Sequence, residues 1–92
     1  MLKVSHQAIA LKYLQDLLDL LEADWDADYA DGALLIKHPT GQFLLNYHGT
    51  MDQLWLSSPV TGAHHFSYSS DRWLCTRTNR ELKDVLGQDL NA

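Results

Sequence analysis

The sequence predicts an α+β two-layer sandwich: an antiparallel sheet of five to six strands with an N-terminal and a C-terminal helix packed on one face. Three observations predict it. Apolar residues recur at helical spacing from about Val4 to Ala23, the period changes to strand-like alternation broken by short turns from Ala33 to Arg77, and helical spacing returns after Thr78. Short loops pair neighbouring strands antiparallel, and two helices cover one face of such a sheet, leaving the other open to water. Ninety-two residues make one domain, expected to span 1–92, with one modest core.

In the first helix Ala10, Leu14, Leu17, Leu18 and Leu21 form the buried stripe, and Gln7, Lys12, Gln15, Asp16, Asp19 and Glu22 take the other side. Asp16, Asp19 and Glu22 step by three and form an exposed ridge. Glu22 stands near the helix C-terminus, where the dipole disfavours an anion by some tenths of a kcal/mol. After Gly32 a β-hairpin is expected from Ala33–His38, the turn Pro39-Thr40-Gly41, and Gln42–His48. Gln53–Ser57 reads as a third strand, followed by the tight connection Ser58-Pro59-Val60-Thr61-Gly62. His64–Tyr68 and Arg72–Arg77 form a second pair around Ser69-Ser70-Asp71, and a short sixth strand fits in Asp28–Asp31. Thr78 and Glu81 have the spacing of a capping box for a short helix through Leu82, Val85 and Leu86, ended by Gly87, with Gln88 to Ala92 a loosely held tail.

Charge narrows the function. Seven Lys and Arg against twelve Asp and Glu give a net charge of −5, which argues against nucleic acid or an anionic membrane as the main partner, since both need a basic footprint. Seven of the twelve acids lie between Asp16 and Asp31, a local excess that suits a metal ion or a basic protein surface. The single cysteine, Cys75, excludes an internal disulfide framework and fits a reducing compartment. No apolar run reaches the roughly 20 residues of a membrane span, and the N-terminus lacks a signal-peptide core, so a cytoplasmic protein is expected.

Alternation also picks out a surface. Leu54 and Leu56 share one face of their strand while Gln53, Trp55 and Ser57 share the other. With the leucines under the helices, Trp55 stands exposed on the open face among polar neighbours, a candidate hot spot for a partner unless a loop or edge residue covers it. His65 is expected on that face near Trp55, and the adjacent His64 on the other.

The residues Asn46, then Gln53-Leu54-Trp55-Leu56-Ser57-Ser58-Pro59-Val60-Thr61-Gly62, then Arg72-Trp73-Leu74-Cys75, with the acidic turn Asp24-Trp25-Asp26-Ala27-Asp28, resemble the frataxin family, most closely its bacterial CyaY-type members. The resemblance implies a protein that binds ferrous or ferric iron weakly through an acidic ridge. It also implies docking on the cysteine desulfurase and iron-sulfur scaffold protein, regulating cluster assembly without catalysing a step. By position, the ridge corresponds to Asp19, Glu22, Asp24, Asp26, Asp28 and Asp31, and the docking face to Asn46, Gln53 and Trp55, with His65 beside it. A monomer is expected, with iron-dependent oligomers as an extension. The chain departs from the family in a shortened segment before the hairpin, in Leu20 and Ala23 where acids often stand, and in Thr50 where proline is common. Fewer carboxylates imply weaker metal binding and weaker docking.

Carboxylate oxygens are hard donors suited to iron, calcium, magnesium or manganese, yet no EF-hand pattern or other closed cage is present. Two other functions stay open: a metal-independent adaptor of the same machinery, in which the acids serve only as charge, and a ferroxidase-type enzyme, which needs a defined iron site with open positions. His6, near the helix start, could reach a ridge ion, but a lone histidine on a helix is more often an ordinary surface residue, which is the reading taken. His38 and His48 carry no signal. Cys75 is read as a core or half-buried residue with nothing nearby to lower its pKa, and Ser57-Ser58 lacks partners for hydrolysis.

Overall fold

The computed structural model describes residues 5–92; Val4, where the first helix was expected to begin, lies outside them. Helix α1 (Gln7–Leu21) leads into strands β1 (Asp26–Ala30), β2 (Ala33–His38), β3 (Gly41–His48), β4 (Gln53–Ser58), β5 (Gly62–Ser69) and β6 (Arg72–Cys75), and helix α2 (Leu82–Leu90) closes the chain. The six strands form one antiparallel sheet in sequence order, so the sandwich expected from the periodicity is the one found. The sixth strand exists, shifted two residues earlier than expected and ending one residue earlier.

Turn chemistry explains why each strand lies beside its predecessor. Asp31 and Gly32 both have positive φ, at 52° and 77°, and they join the closing pair Ala30↔Ala33. That is the two-residue hairpin turn whose twist matches the strands and for which Asp-Gly is a preferred sequence. Ser70 and Asp71, at 51° and 65°, make the same kind of turn between Ser69 and Arg72. Gly41 is required by a close approach: a Cβ there would come 2.9 Å from Pro59 Cβ.

The core lies between the sheet and the helices. Ala10, Leu14 and Leu17 of α1 meet Leu34, Ile36, Phe43, Leu45, Leu54, Leu56 and Phe66 of the sheet, while Leu82, Val85, Leu86 and Leu90 of α2 cover the end nearer Trp73 and Cys75. Leu18 and Leu21 pack at its margin. Tyr13 Oη and Trp73 Nε1 are buried with no partner among the described residues; burial, helped by the charges of Glu81 and Asp84, pushes the Tyr13 phenol far up.

Two carboxylates tie distant elements to this core. The N-cap residue of helix α1, His6, makes no side-chain cap and the first turn carries no acid, although Ser5 Oγ accepts from the Gln7 amide at 3.2 Å. Asp52, in the β3–β4 turn, serves as well: its Oδ1 accepts from the His6 amide at 2.9 Å and from the Tyr47 hydroxyl at 2.6 Å, and its Oδ2 meets His6 Nδ1 at 2.6 Å. His6 is thereby committed to Asp52 at the N-terminal end of α1, which makes it neither the ordinary surface residue expected nor a ligand for the acidic ridge. Burial raises the Asp52 carboxyl, but the bonds from Tyr47 and His6 outweigh it and hold the group below its ordinary value.

Asp89, the second, overturns the reading of the C-terminus. Its side chain is almost wholly buried, at 2% exposure, and Oδ2 accepts from Ser58 Oγ at 2.7 Å and Thr61 Oγ1 at 2.5 Å. The segment after Gly87 is therefore held, and α2 continues through that glycine because Asp89 and Leu90 bury themselves beneath the β4–β5 turn. The capping box does not form either. Thr78 Oγ1 accepts from the Arg80 amide at 3.3 Å, Glu81 bridges to Leu74, and the helix starts at Leu82.

Both ties are testable. Asp89→Ala leaves the buried Ser58 hydroxyl without its acceptor and removes the bond from Thr61, and is expected to lower unfolding free energy by about 2–3 kcal/mol in urea titrations. Asp52→Asn is expected to cost about 1–2 kcal/mol at neutral pH. Because the folded-state pKa of Asp52 is depressed, its contribution is present above the unfolded value and lost as pH falls through the folded one, so the gap between variant and parent should close below about pH 4.

Candidate functional site

The acids after α1 lie along a line. Asp19 and Glu22 are exposed on the last turns of the helix, Asp24 is exposed in the connection, and Asp26 and Asp28 are exposed on β1, the edge strand. The chain is turned there by the Asp24 and Trp25 amides, which both return to the Leu21 carbonyl, at 3.1 and 2.8 Å. Asp26 and Asp28 alternate with Ala27 and Tyr29, which pack on the core margin, so both carboxylates belong to the open side of the sheet. Asp31 sits in the hairpin turn at the far end of β1, about 17 Å from Asp26 at the rise of an extended strand.

This spacing decides the coordination chemistry. Among the described residues no three His, Cys, Asp or Glu side chains come together as a ready metal site, and Asp31 cannot share an ion with the helix-end acids. Asp26 is partly neutralised by Lys37 on the neighbouring strand, 3.8 Å away, an exposed pair worth little in itself. Leu20 is 66% exposed where an acid would have continued the helical row. The row offers separate carboxylates to loosely held, exchanging ions or to a basic surface, and no enclosed cage.

The second group is brought together closely. The sheet register places Asn46, Trp55 and His65 directly opposite one another across β3, β4 and β5. Gln53 follows on the same face and accepts the Trp55 indole N–H through Oε1 at 2.9 Å. Leu54 and Leu56 are buried beneath the helices, as alternation required. Two features differ from the expectation. Trp55 is half-buried, flanked by two histidines of the same face. The face is also less polar than expected, because Leu35 and the 40% exposed Leu44 lie on it one row from Trp55.

His48 is the residue that the sequence reading missed. It stands two positions after Asn46, so it shares that face, and it lies diagonally across from Trp55 within reach of an aromatic ring. The signal was present in the alternation but needed the strand register to be seen. His38 is also used, structurally: its ring lies between Trp25 and Phe43 and bonds the Leu90 carbonyl at 2.8 Å.

Cys75 is buried, at 4% exposure, as expected, but the expectation that nothing lowers its pKa is corrected. Burial raises it, while hydrogen bonds from Thr78 and from the Arg77 and Thr78 amides, with the Arg77 charge, bring it below the ordinary thiol value. These groups come from the turn that leaves β6, whose shape the sequence does not announce. Ser58, for its part, is held by Asp89 and by the amides of Val60 and Thr61.

Among the described residues no helix is long and apolar enough to cross a membrane. Residues 4–92 match the family described as the frataxin-like domain. The chain is 36% identical over 100 residues to the iron-sulfur cluster assembly protein CyaY of Thioalkalivibrio sulfidiphilus, an overlap that covers all of this chain and 92% of the relative. It is 32% identical over 82 residues to CyaY of Neisseria meningitidis serogroup C, covering 88% of this chain and 76% of that one. Its fold superposes with a TM-score of 0.82 on trimeric frataxin from the yeast Saccharomyces cerevisiae complexed with ferrous iron, at 27% identity over 99% of this chain and 88% of the yeast one. The meander under two helices, the tryptophan row on its open face and this match over nearly the whole sequence lead to one conclusion: the chain belongs to the frataxin family, in its bacterial CyaY-type branch.

Proposed function

We propose that this protein is an iron-binding regulator and iron donor in iron-sulfur cluster assembly, acting in the bacterial cytoplasm by docking on the cysteine desulfurase and its scaffold protein. The observation that carries the reading is the pairing of two surfaces on one small body. One is an unenclosed run of carboxylates from Asp19 to Asp28, with Asp31 beyond it; the other is a sheet face centred on Trp55. Relatives named as iron-sulfur cluster assembly proteins, and a yeast relative described in complex with ferrous iron, support it.

The chemistry follows from the geometry. Carboxylates on an exposed helix end and strand edge hold iron through one or two protein oxygens each, with water completing the shell, which gives weak binding and fast release. Such a surface suits handing an ion on better than storing it. The same charges attract a basic surface, and Trp55 with Asn46, Gln53 and His65 supplies the apolar and hydrogen-bonding anchor that fixes orientation. In this reading the protein performs no catalytic step of its own and acts as a monomer, with iron bridging copies into oligomers at high loading.

A second reading, the metal-independent adaptor, is favoured by the absence of a three-ligand cluster among the described residues and by the pairing of Asp26 with Lys37. A ferroxidase has less support, since it requires an assembled iron site; iron oxidation no faster than in protein-free buffer would dispose of it.

Anaerobic titration with ferrous iron, followed by amide spectra, is expected to broaden or shift signals from Asp16 to Asp31 and to leave those around Trp55 unchanged. A silent titration, with desulfurase binding intact, would establish the adaptor reading. Trp55→Arg is expected to keep the fold and weaken docking by at least about tenfold, and an unchanged affinity would remove the sheet face from the interface. Raising salt from 50 to 500 mM should slow association through the acidic row, whereas docking insensitive to salt would argue against an electrostatic role for it.

A further inference from the structure

Trp55 is not a free side chain lying on a flat sheet. The His48 ring stacks on it with centroids 3.9 Å apart and planes 8° from parallel, and the His65 ring stacks at 4.2 Å and 13°. His48 comes from β3 and His65 from β5, the strands on either side of β4, so the two imidazoles take opposite faces of the indole. The polar edge of the indole is also taken, by Gln53 Oε1, and the Gln53 amide nitrogen lies 3.4 Å from Ser67 Oγ. His48 is itself oriented: its Nδ1 accepts from the Met51 amide at 3.3 Å, which puts the proton of the neutral ring on Nε2.

With both faces and the N–H engaged, the carbon edge of the indole is what remains to meet a partner. We propose that His48 and His65 are positioning residues for docking: they hold Trp55 on edge, and the partner receives that edge in a narrow apolar slot instead of laying a flat surface over the ring. Leu44, 40% exposed on the same face, extends the apolar contact beside the stack. The proposal rests on the docking role of Trp55 proposed above. Its physical content is preorganisation. A lone tryptophan loses side-chain freedom on binding, whereas one already fixed between two rings has lost it on folding, so the association is tighter for the same contacts.

The test uses His48→Ala, His65→Ala and the ring-preserving His48→Phe and His65→Phe in the full chain. Without any partner, the relaxation of the Trp55 indole N–H should report a rigid group in the parent, with an order parameter near ~0.85, a mobile one in the alanine variants, below ~0.6, and a rigid one again in the phenylalanine variants. Affinity for the desulfurase with its scaffold should fall about tenfold in each alanine variant and return in each phenylalanine variant. That rescue separates positioning from a merely structural role. In protein labelled with 5-fluorotryptophan, whose fluorine marks the carbon edge, the Trp55 resonance should move on docking while those of Trp25 and Trp73 stay in place.

An indole as rigid in the alanine variants as in the parent overturns the proposal, as does full affinity with a loosened indole, or an edge resonance unmoved by docking. A parent chain that fails to bind the desulfurase and scaffold overturns the docking reading itself. The clamp is then judged by the partner-free order parameters alone.

Discussion

A sheet covered on one side only is the constraint on which the rest of this molecule depends. Both helices lie on one face, and the core they close is filled by every second residue of each strand, from Leu34 and Ile36 to Trp73 and Cys75. Strict alternation then assigns the intervening residues to water. Moving β3 or β4 by one residue would bury Asn46, or Gln53 and Trp55, and expose leucines, so the register that secures the core also fixes the row Asn46, Trp55 and His65. The open face with Trp55 is in that sense the reverse side of the hydrophobic core, and its geometry is as well determined as the packing beneath it.

The acidic region obeys a different logic. Its carboxylates are exposed and spread over a helix end, a connection and an edge strand, and they repel one another, offset among the described residues by Lys12 beside Asp16 and Lys37 beside Asp26. Such an arrangement contributes nothing to folding, and burial plays no part in holding it. Charge on an edge strand also discourages pairing with another sheet, so Asp26 and Asp28 protect β1 from edge-to-edge association. The separation between the helix-end acids and Asp31 follows from the length of β1 and makes a shared coordination shell impossible.

Two carboxylates elsewhere are employed in the opposite way. Asp52 accepts from the His6 amide at the start of α1 and joins it to the β3–β4 turn, and Asp89 gathers the hydroxyls of Ser58 and Thr61 under the last turn of α2. Each closes a contact between segments far apart in sequence, 46 residues for His6 with Asp52 and 31 for Ser58 with Asp89. The chain thus contains an exposed row of acids and two acids committed to the fold, which composition cannot tell apart.

The sequence by itself determined the layers, the strand alternation, the face on which Trp55 and His65 stand, and the family, because these follow from local periodicity and a long run of matching residues between Gln53 and Gly62. It misjudged the ends of α2, since a cap and a stop are weak local preferences and the burial of Asp89 and Leu90 overrode them. It had no means to find Asp52 beneath His6, the groups around the Cys75 thiol, or the stacking of His48 and His65 on the Trp55 ring. Those depend on which strands become neighbours and on how their rings meet, and ring stacking between β3, β4 and β5 exists only once the sheet has formed.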